Sequence, residues 1–289
     1  MGSPSIAFTQ MYQDTITLLA QQMDNRLRPC VMVDTNFKGS AKYYDQYDSE
    51  DMVEISTRYQ DTPVGSPDHE RRQVTPRYFV SNTLEDPADA LQMLADPKSA
   101  YMAGKRAAAN RQVDDLIIAA LGGTAKSGVA GGTSTTLVSY DSGSHVIASA
   151  SAGLTKSKLL EARKKLGKVE VDKEDRFCAY TEEQMDDLLQ TTEVTSSDFN
   201  TVKALVQGEL EIWIGFKFVH SERLLTNSSS ERRVMAFQKK GLQLAIQKEV
   251  EGRLSERPDK NYAWQVYMRL CAGAVRLEEK RVIEICCTE

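Results

Sequence analysis

The sequence predicts an α+β fold with no repeating strand–helix–strand unit. Three observations carry that expectation. One long alanine-rich helical pattern, residues 97–121, stands alone in the first half of the chain. The second half alternates strand runs with short helical stretches of the wrong order for crossover units. Between residues 43 and 80 lies a long polar ribbon with strand-forming residues and a turn-rich centre.

The elements follow in order. Phe8, Met11, Tyr12, Ile16, Leu19 and Met23 recur at helical spacing, which predicts an amphipathic N-terminal helix over 8–25. Strand-like runs near 52–59 and 73–80 flank "DTPVGSPDH", the pattern of a long hairpin too polar to cover a core on either face. Asp86-Pro87 and Asp96-Pro97 each offer a helix cap followed by proline at the first helical position. The second of these opens the 97–121 helix, a rod of roughly 37 Å at 1.5 Å per residue. Leu116, Ile117, Ala120 and Leu121 anchor its far end and Gly122 stops it.

"LGGTAKSGVAGGTSTT", residues 121–136, has the glycines of a phosphate loop but not their spacing. A Walker loop ending at Lys126 needs glycine at 120 and 125, and both are alanine. The stretch also follows a helix instead of a buried strand, so it reads as a flexible connector. "TLVSYDSGSHVIAS" then reads as a hairpin turning at Asp141-Ser142-Gly143. Its "DSGSH" lacks the G-x-S-x-G elbow of a serine hydrolase.

Further on, Thr155 caps a helix "KSKLLEARKKLG" ended by Gly167, and "RFCAY" is a strand. Thr181 and Gln184 form a capping box ahead of "EEQMDDLLQ". "FNTVKALVQG" is a short helix, and "ELEIWIGFKFVHSERL" two strands broken at Gly215. A strand, a helical turn and a strand fill "RRVMAFQKKGLQLAIQKEVEGRL", and the end of the chain gives two strand runs around Gly273.

Composition narrows the function. With 289 residues, 41% hydrophobic and 27% charged, the chain can bury a sizeable core. A net charge of −5 argues against a dedicated nucleic-acid reader. No apolar run reaches the ~18–20 residues of a membrane span. The start "MGSPSIAFTQ" lacks a secretory signal, and Ile6 breaks the myristoylation pattern, so a soluble, cytoplasmically made protein is expected. Cys30, Cys178, Cys271, Cys286 and Cys287 read as buried thiols of a reducing compartment. His69, His145 and His220 have no second ligand at standard metal spacing, and Asp45, Asp48, Glu50, Asp51 and Glu54 lack the glycine of a calcium loop. Neither a cofactor nor a metal is expected, and no convergent ionisable site of an enzyme is visible.

The order of elements resembles the major capsid protein of tailed bacteriophages, the Hong Kong 97-type shell fold. "GELEIWIGFKFVHSERL" carries the strand, Gly-Phe turn and strand of that family, with Gly208, Gly215 and Phe216 in pattern. "RFCAYTEEQMDDLL" resembles the opening of its axial domain, and "AAANRQVDDLIIAALGG" the end of its spine helix. The resemblance implies an N-terminal arm at 1–42, an extended loop at 43–80 and an axial domain at 176–264. It implies a peripheral domain from 81–175 and 265–289, with the spine helix at 97–121. It further implies a virion shell assembled in the host cytoplasm from pentamers and hexamers of the chain. Scaffolding protein and a portal would be partners, and double-stranded DNA would be enclosed without sequence-specific binding. An encapsulin-like bacterial compartment shares the fold and is the alternative.

A ribbon without its own core makes sense lying across a neighbouring subunit, in a head-to-tail contact that closes into rings. Arg58, Asp61, Glu70, Arg71 and Arg72 are the residues expected to serve that interface, because the arginine fork suits ion pairs across a boundary. Some relatives weld loop lysines to a neighbour's asparagine. There is no lysine between Lys42 and Lys98 here, so a non-covalent shell is expected.

Overall fold

The computed structural model describes residues 20–35, 37–48, 50–62, 64–65, 69–85, 98–128, 135–140, 144–191 and 212–289. The first strands are β1 (Met32–Asp34), β2 (Lys42–Tyr47), β3 (His69–Val74) and β4 (Arg77–Glu85). Helix α1 (Lys98–Gly122) precedes β5 (Ala125–Gly128), β6 (Thr135–Val138) and β7 (Val146–Ile147). Then come α2 (Lys156–Lys168), β8 (Arg176–Tyr180), α3 (Glu182–Thr191), β9 (Ile212–Trp213) and β10 (Phe216–His220). The chain ends with β11 (Arg232–Gln238), β12 (Leu242–Arg257), β13 (Ala263–Arg276) and β14 (Val282–Cys287). The mixed α+β class is therefore observed, with strands dominating.

Contacts divide the chain into two units. The larger comprises Arg26–Arg77, Val113–Gln247 and Ala272–Glu289. Its main sheet has the order β7-β14-β11-β8-β10-β9. Helices α2 and α3 supply Leu159, Ala162, Leu166, Met185 and Leu188 to a core shared with Val234, Ala236, Ile283 and Ile285 of the sheet. The caps read from the sequence do their work here. Thr155 Oγ1 accepts the backbone N–H of Lys158 at 3.4 Å, and the backbone N–H of Thr181 donates to Gln184 Oε1 at 3.0 Å. Ile214 and Gly215, with φ of 54° and 85°, make the two-residue turn joining β9 to β10, where glycine accepts the left-handed backbone freely.

A second sheet of this unit runs β2-β3-β5-β6 and lies over Phe37, Val74, Ala125, Ala245, Val275 and Leu277. β1 pairs in parallel with the start of β12, Met32 opposite Gln243. Asp114 of α1, wholly buried, accepts the backbone N–H groups of Arg26 and Leu27 at 3.0 and 3.1 Å, anchoring the chain just before β1.

The smaller unit comprises the described residues within Met1–Asn25, Tyr78–Gln112 and Lys248–Cys271. In it the later part of β12 presents mostly exposed residues, while β13 alternates buried and half-buried ones. Gly252 of β12 leaves space that Met102 and Met268 fill: a Cβ there would sit 2.4 Å from the Met102 methyl. Glu251 gathers Arg269 at 2.6 Å, Arg253 at 3.0 Å and Lys248 at 3.1 Å. The Arg269 hydrogen bond, followed by those of Lys248 and Arg253, lowers the Glu251 carboxyl to about 2.

Several expectations are corrected. The hairpin strands are 42–47 and 69–74, with Lys42 opposite Val74 and Tyr47 opposite His69; residues 52–59 form no strand. Pro76, without an N–H, separates β3 from β4 where one run over 73–80 was expected. The base of the ribbon does have a core of its own, because Val74 and Tyr44 reach the Phe37 cluster. The glycine-rich stretch is not a connector throughout: β5 and β6 pair antiparallel, Ala125 opposite Val138 and Gly128 opposite Thr135. Gly128 is glycine because a Cβ would meet the Tyr43 ring at 2.6 Å.

The expected 136–149 hairpin does not form either. β6 takes β5 as its partner, and β7 runs parallel to β14, Val146 opposite Glu284. α2 continues past Gly167 to Lys168, and Glu170 takes the left-handed conformation beyond it. β13 runs unbroken through Gly273, whose role is close approach: a Cβ would lie 2.8 Å from the Thr75 carbonyl oxygen. Most of the expected 8–25 helix, both Asp-Pro helix starts, the turn at 141–143, the 199–208 helix and Gly208 lie outside the described residues.

Candidate assembly surface

The ribbon is built from its base outward. β2 and β3 pair over six residues each, and Asp45 stands directly opposite Arg71, whose guanidinium hydrogen-bonds its carboxylate. Asp45 is open to solvent and Arg71 only half-buried, so this pair adds little stability and mainly fixes register. Arg72 points the other way. It is 3% exposed, donates from Nε to the Leu277 carbonyl at 3.1 Å, and pairs with Glu279 at 3.2 Å and Glu70 at 3.0 Å. Of the five residues expected at an interface, Arg72 is thus committed to its own subunit, and Glu70 and Arg71 are paired within the hairpin. Arg58 and Asp61 are exposed in the segment beyond it.

That segment carries residues the charge-based reading passed over. Between the two hairpin strands, Met52 is fully exposed, Tyr59 is 99% and Val64 94% exposed, and Val53 and Ile55 are more than half exposed. Thr57 donates to Gln60 Oε1 at 3.2 Å, closing a turn in which Tyr59 holds a φ of 62°. Single exposed apolar residues are ordinary, but five in one short polar stretch make a concentrated apolar surface, open among the described residues. The alternation of Val53 and Ile55 with polar neighbours was the signal available in the sequence.

Behind the hairpin the larger unit holds a buried charged junction. Arg276 donates from Nη1 to the carbonyls of Leu121 and Gly123, at 3.0 and 2.6 Å. Its guanidinium carbon lies 4.9 Å from the centre of the Tyr140 ring, and Glu279 Oε1 stands 3.5 Å from Nε without a hydrogen bond. α1 has no basic residue in its last turn, so this arginine of β13 answers the negative end of the helix instead. Burial lowers the arginine's pKa, while Glu279 and the Tyr140 hydroxyl oppose that. Arg233 pairs with Glu284 at 2.5 Å in the same unit, and hydrogen bonding to that carboxylate raises its pKa.

One metal-like group does assemble, contrary to the spacing argument. Donor atoms of Glu182, His220 and Glu222 lie within 4.8 Å of one another. Arg26 Nη1 donates to His220 Nδ1, so Nε2 carries the ring proton and donates to Glu222 Oε1 at 2.7 Å. That tautomer leaves no ring lone pair for a cation. The cysteines are buried apart from the half-buried Cys271, and burial pushes Cys30 and Cys286 up to about 11 and Cys287 to about 12. They are inert thiols at neutral pH.

The fold is that of bacteriophage shells. The chain superposes on the capsid of cyanophage P-SCSP1u with a TM-score of 0.75, at 15% identity over 98% of this chain and 94% of that one. The cyanophage Pam1 capsid gives 0.73 at 12% identity, covering 99% and 98%. The capsid of Ralstonia phage GP4 gives 0.72 at 12% identity, again covering 99% and 98%. No curated protein sequence matches the chain. Residues 5–289 match the family described as phage capsid protein, and the chain belongs to it. It is a capsid protein of a bacteriophage, a structural component of the virion shell.

Proposed function

We propose that this protein self-assembles, through pentamers and hexamers of identical chains, into the icosahedral shell that encloses double-stranded phage DNA. The observation that carries the reading is the segment of residues 50–62, whose Met52, Val53, Ile55 and Tyr59 stand exposed among the described residues. Each such side chain gains about 1.5–3 kcal/mol when fully buried, so a neighbouring copy is the natural place for them. Arg58 and Asp61 would flank that contact with charge. A net charge of −5 suits a container that holds DNA without gripping its phosphates. Assembly takes place in the host cytoplasm, guided by scaffolding protein around a portal. The shell is held without covalent links, since the ribbon offers no lysine between Lys42 and Lys98.

Electron microscopy and size-exclusion chromatography of the expressed protein test this. Closed megadalton particles are expected, with nuclease-protected double-stranded DNA in particles taken from infected cells. A small oligomer at every concentration refutes the reading, and particles filled with protein cargo and no DNA favour a compartment. Ladders of linked subunits on denaturing gels would overturn the non-covalent shell.

A further inference from the structure

We propose that α2 of one copy meets α3 of the next copy around each ring of subunits, joined by opposite charge on the outer faces of the two helices. This rests on the assembly reading above and names a contact within the ring. Three observations carry it.

The first is charge segregated by helix. Lys156–Lys168 holds six cations against Glu161 alone, whereas Glu182–Thr191 holds four carboxylates and no cation. The second is how those charges are used at home. Lys158 is buried, its ammonium donating to the carbonyls of Ala152, Gly153 and Cys286 at 2.6, 2.7 and 3.1 Å. Lys165 donates to the Val146 carbonyl at 2.9 Å and pairs with Glu161 at 3.6 Å. Arg163, Lys164 and Lys168 stand exposed, opposite the buried Leu159, Ala162 and Leu166, and form no ion pair among the described residues. On α3, Glu182, Glu183 and Asp186 share the exposed face, away from Met185 and Leu188. Glu182 stands 3.5 Å from His220 Nε2, and Asp186 accepts from Gln190 at 2.6 Å. None of the three pairs with a lysine or arginine among the described residues.

The third is placement. α2 packs on β14 and β7, at one edge of the six-stranded sheet. α3 begins beside β10, toward the other edge: the backbone N–H of Glu182 donates at 2.8 Å to Glu222, just past the end of β10. A surface of one sign on one side of a subunit, with its opposite on the other side, suits a head-to-tail contact, and such contacts close into rings. Lys164 and Lys168 are four residues apart, as are Glu182 and Asp186, so both faces space their charges by about 6 Å along the helix. One exposed ion pair adds little stability. Several in register orient the incoming copy and speed its docking.

The unaltered protein provides the first test. Isotopically heavy and light chains are co-assembled and treated with a carbodiimide, which joins a lysine amine to a carboxylate in contact with it. Mixed-isotope crosslinks are expected between peptides holding Lys164 or Lys168 and peptides holding Glu182, Glu183 or Asp186. Crosslinks between the two helices only within a chain, or none at all, refute the contact. The second test is a charge swap. Arg163→Glu with Lys164→Glu should slow particle formation at least about tenfold, because like charges then meet. Glu183→Lys with Asp186→Lys should do the same alone, and should restore assembly when all four changes share one chain. These positions are exposed, so the dissociated variants should keep the parent's thermal midpoint, which separates lost docking from lost folding. Normal assembly by either reversed pair, or no rescue by the combination, would sink this contact and leave the shell reading intact. No particles from the unaltered chain would sink the shell reading itself.

Discussion

Arg276 allows the sharpest test of how the larger unit is held. Replacing it with methionine keeps an unbranched apolar stem and removes the guanidinium. The carbonyls of Leu121 and Gly123 then lose donors at 3.0 and 2.6 Å, at the end of a helix with no basic residue of its own to compensate. A buried polar group left unsatisfied costs about 1–3 kcal/mol, so two give a gross loss of about 2–6 kcal/mol. Relief from burying a cation offsets part of that, because exchanging a buried ion for a well-packed apolar group is often close to neutral. Glu279 keeps Arg72 at 3.2 Å, so the substitution does not strand a carboxylate. The net expectation is a loss of about 3 kcal/mol, or a fall of about 6–12 °C in thermal midpoint at ~2–4 °C per kcal/mol. Urea unfolding of the dissociated subunit, followed by the fluorescence of Trp213 in the core of this unit, measures it. Arg276→Lys should recover part of the loss, since an ammonium keeps the charge but not the fork. A midpoint for Arg276→Met within about 0.5 kcal/mol of the parent's would show that water caps this helix end, and the argument would fail.

Two further outcomes are expected. Gly273→Ala places a Cβ 2.8 Å from the Thr75 carbonyl oxygen and 3.0 Å from Val74 Cγ1, so it should destabilise by about 1–3 kcal/mol, read as a lowered thermal midpoint; an unchanged midpoint means β13 can shift there. The Glu251 carboxyl is held at about 2, below the usual 4.5, so the stabilisation from its cluster is complete above that usual value and disappears as pH falls through about 2. Parent and Glu251→Gln should therefore differ in thermal midpoint at pH 6 and converge toward pH 2, and a gap that persists in acid contradicts this.

The candidate assembly surface was only half legible in the sequence. Residues 43–80 stood out as a ribbon, and its exposed outer segment lies within that range. The five charged residues chosen there have different fates. Arg58 and Asp61 face solvent, while Arg72 lies beneath its own subunit, because Glu279 and the Leu277 carbonyl, some two hundred positions away, satisfy its guanidinium. No local pattern announces such a pairing. A charged residue reads as surface until its distant partner is known, and for the same reason the apolar residues between the charges were undervalued.

What the sequence settled by itself was local. The alanine-rich α1 was expected at 97–121 and lies at Lys98–Gly122. The Thr155 cap, the Thr181–Gln184 box, the Gly215 turn and the helical turn between β11 and β12 all stand where read. Each depends on hydrogen bonds or backbone preferences spanning a few residues, so the code for it is contiguous. Tertiary structure alone decided which strand pairs with which. β6 turned to β5 and β7 to β14, because a strand's stability lies in the ladder it joins, and that choice belongs to the whole sheet. It also decided that Gly273 serves the approach of Thr75, and that an arginine from β13 closes the end of a helix begun far earlier in the chain.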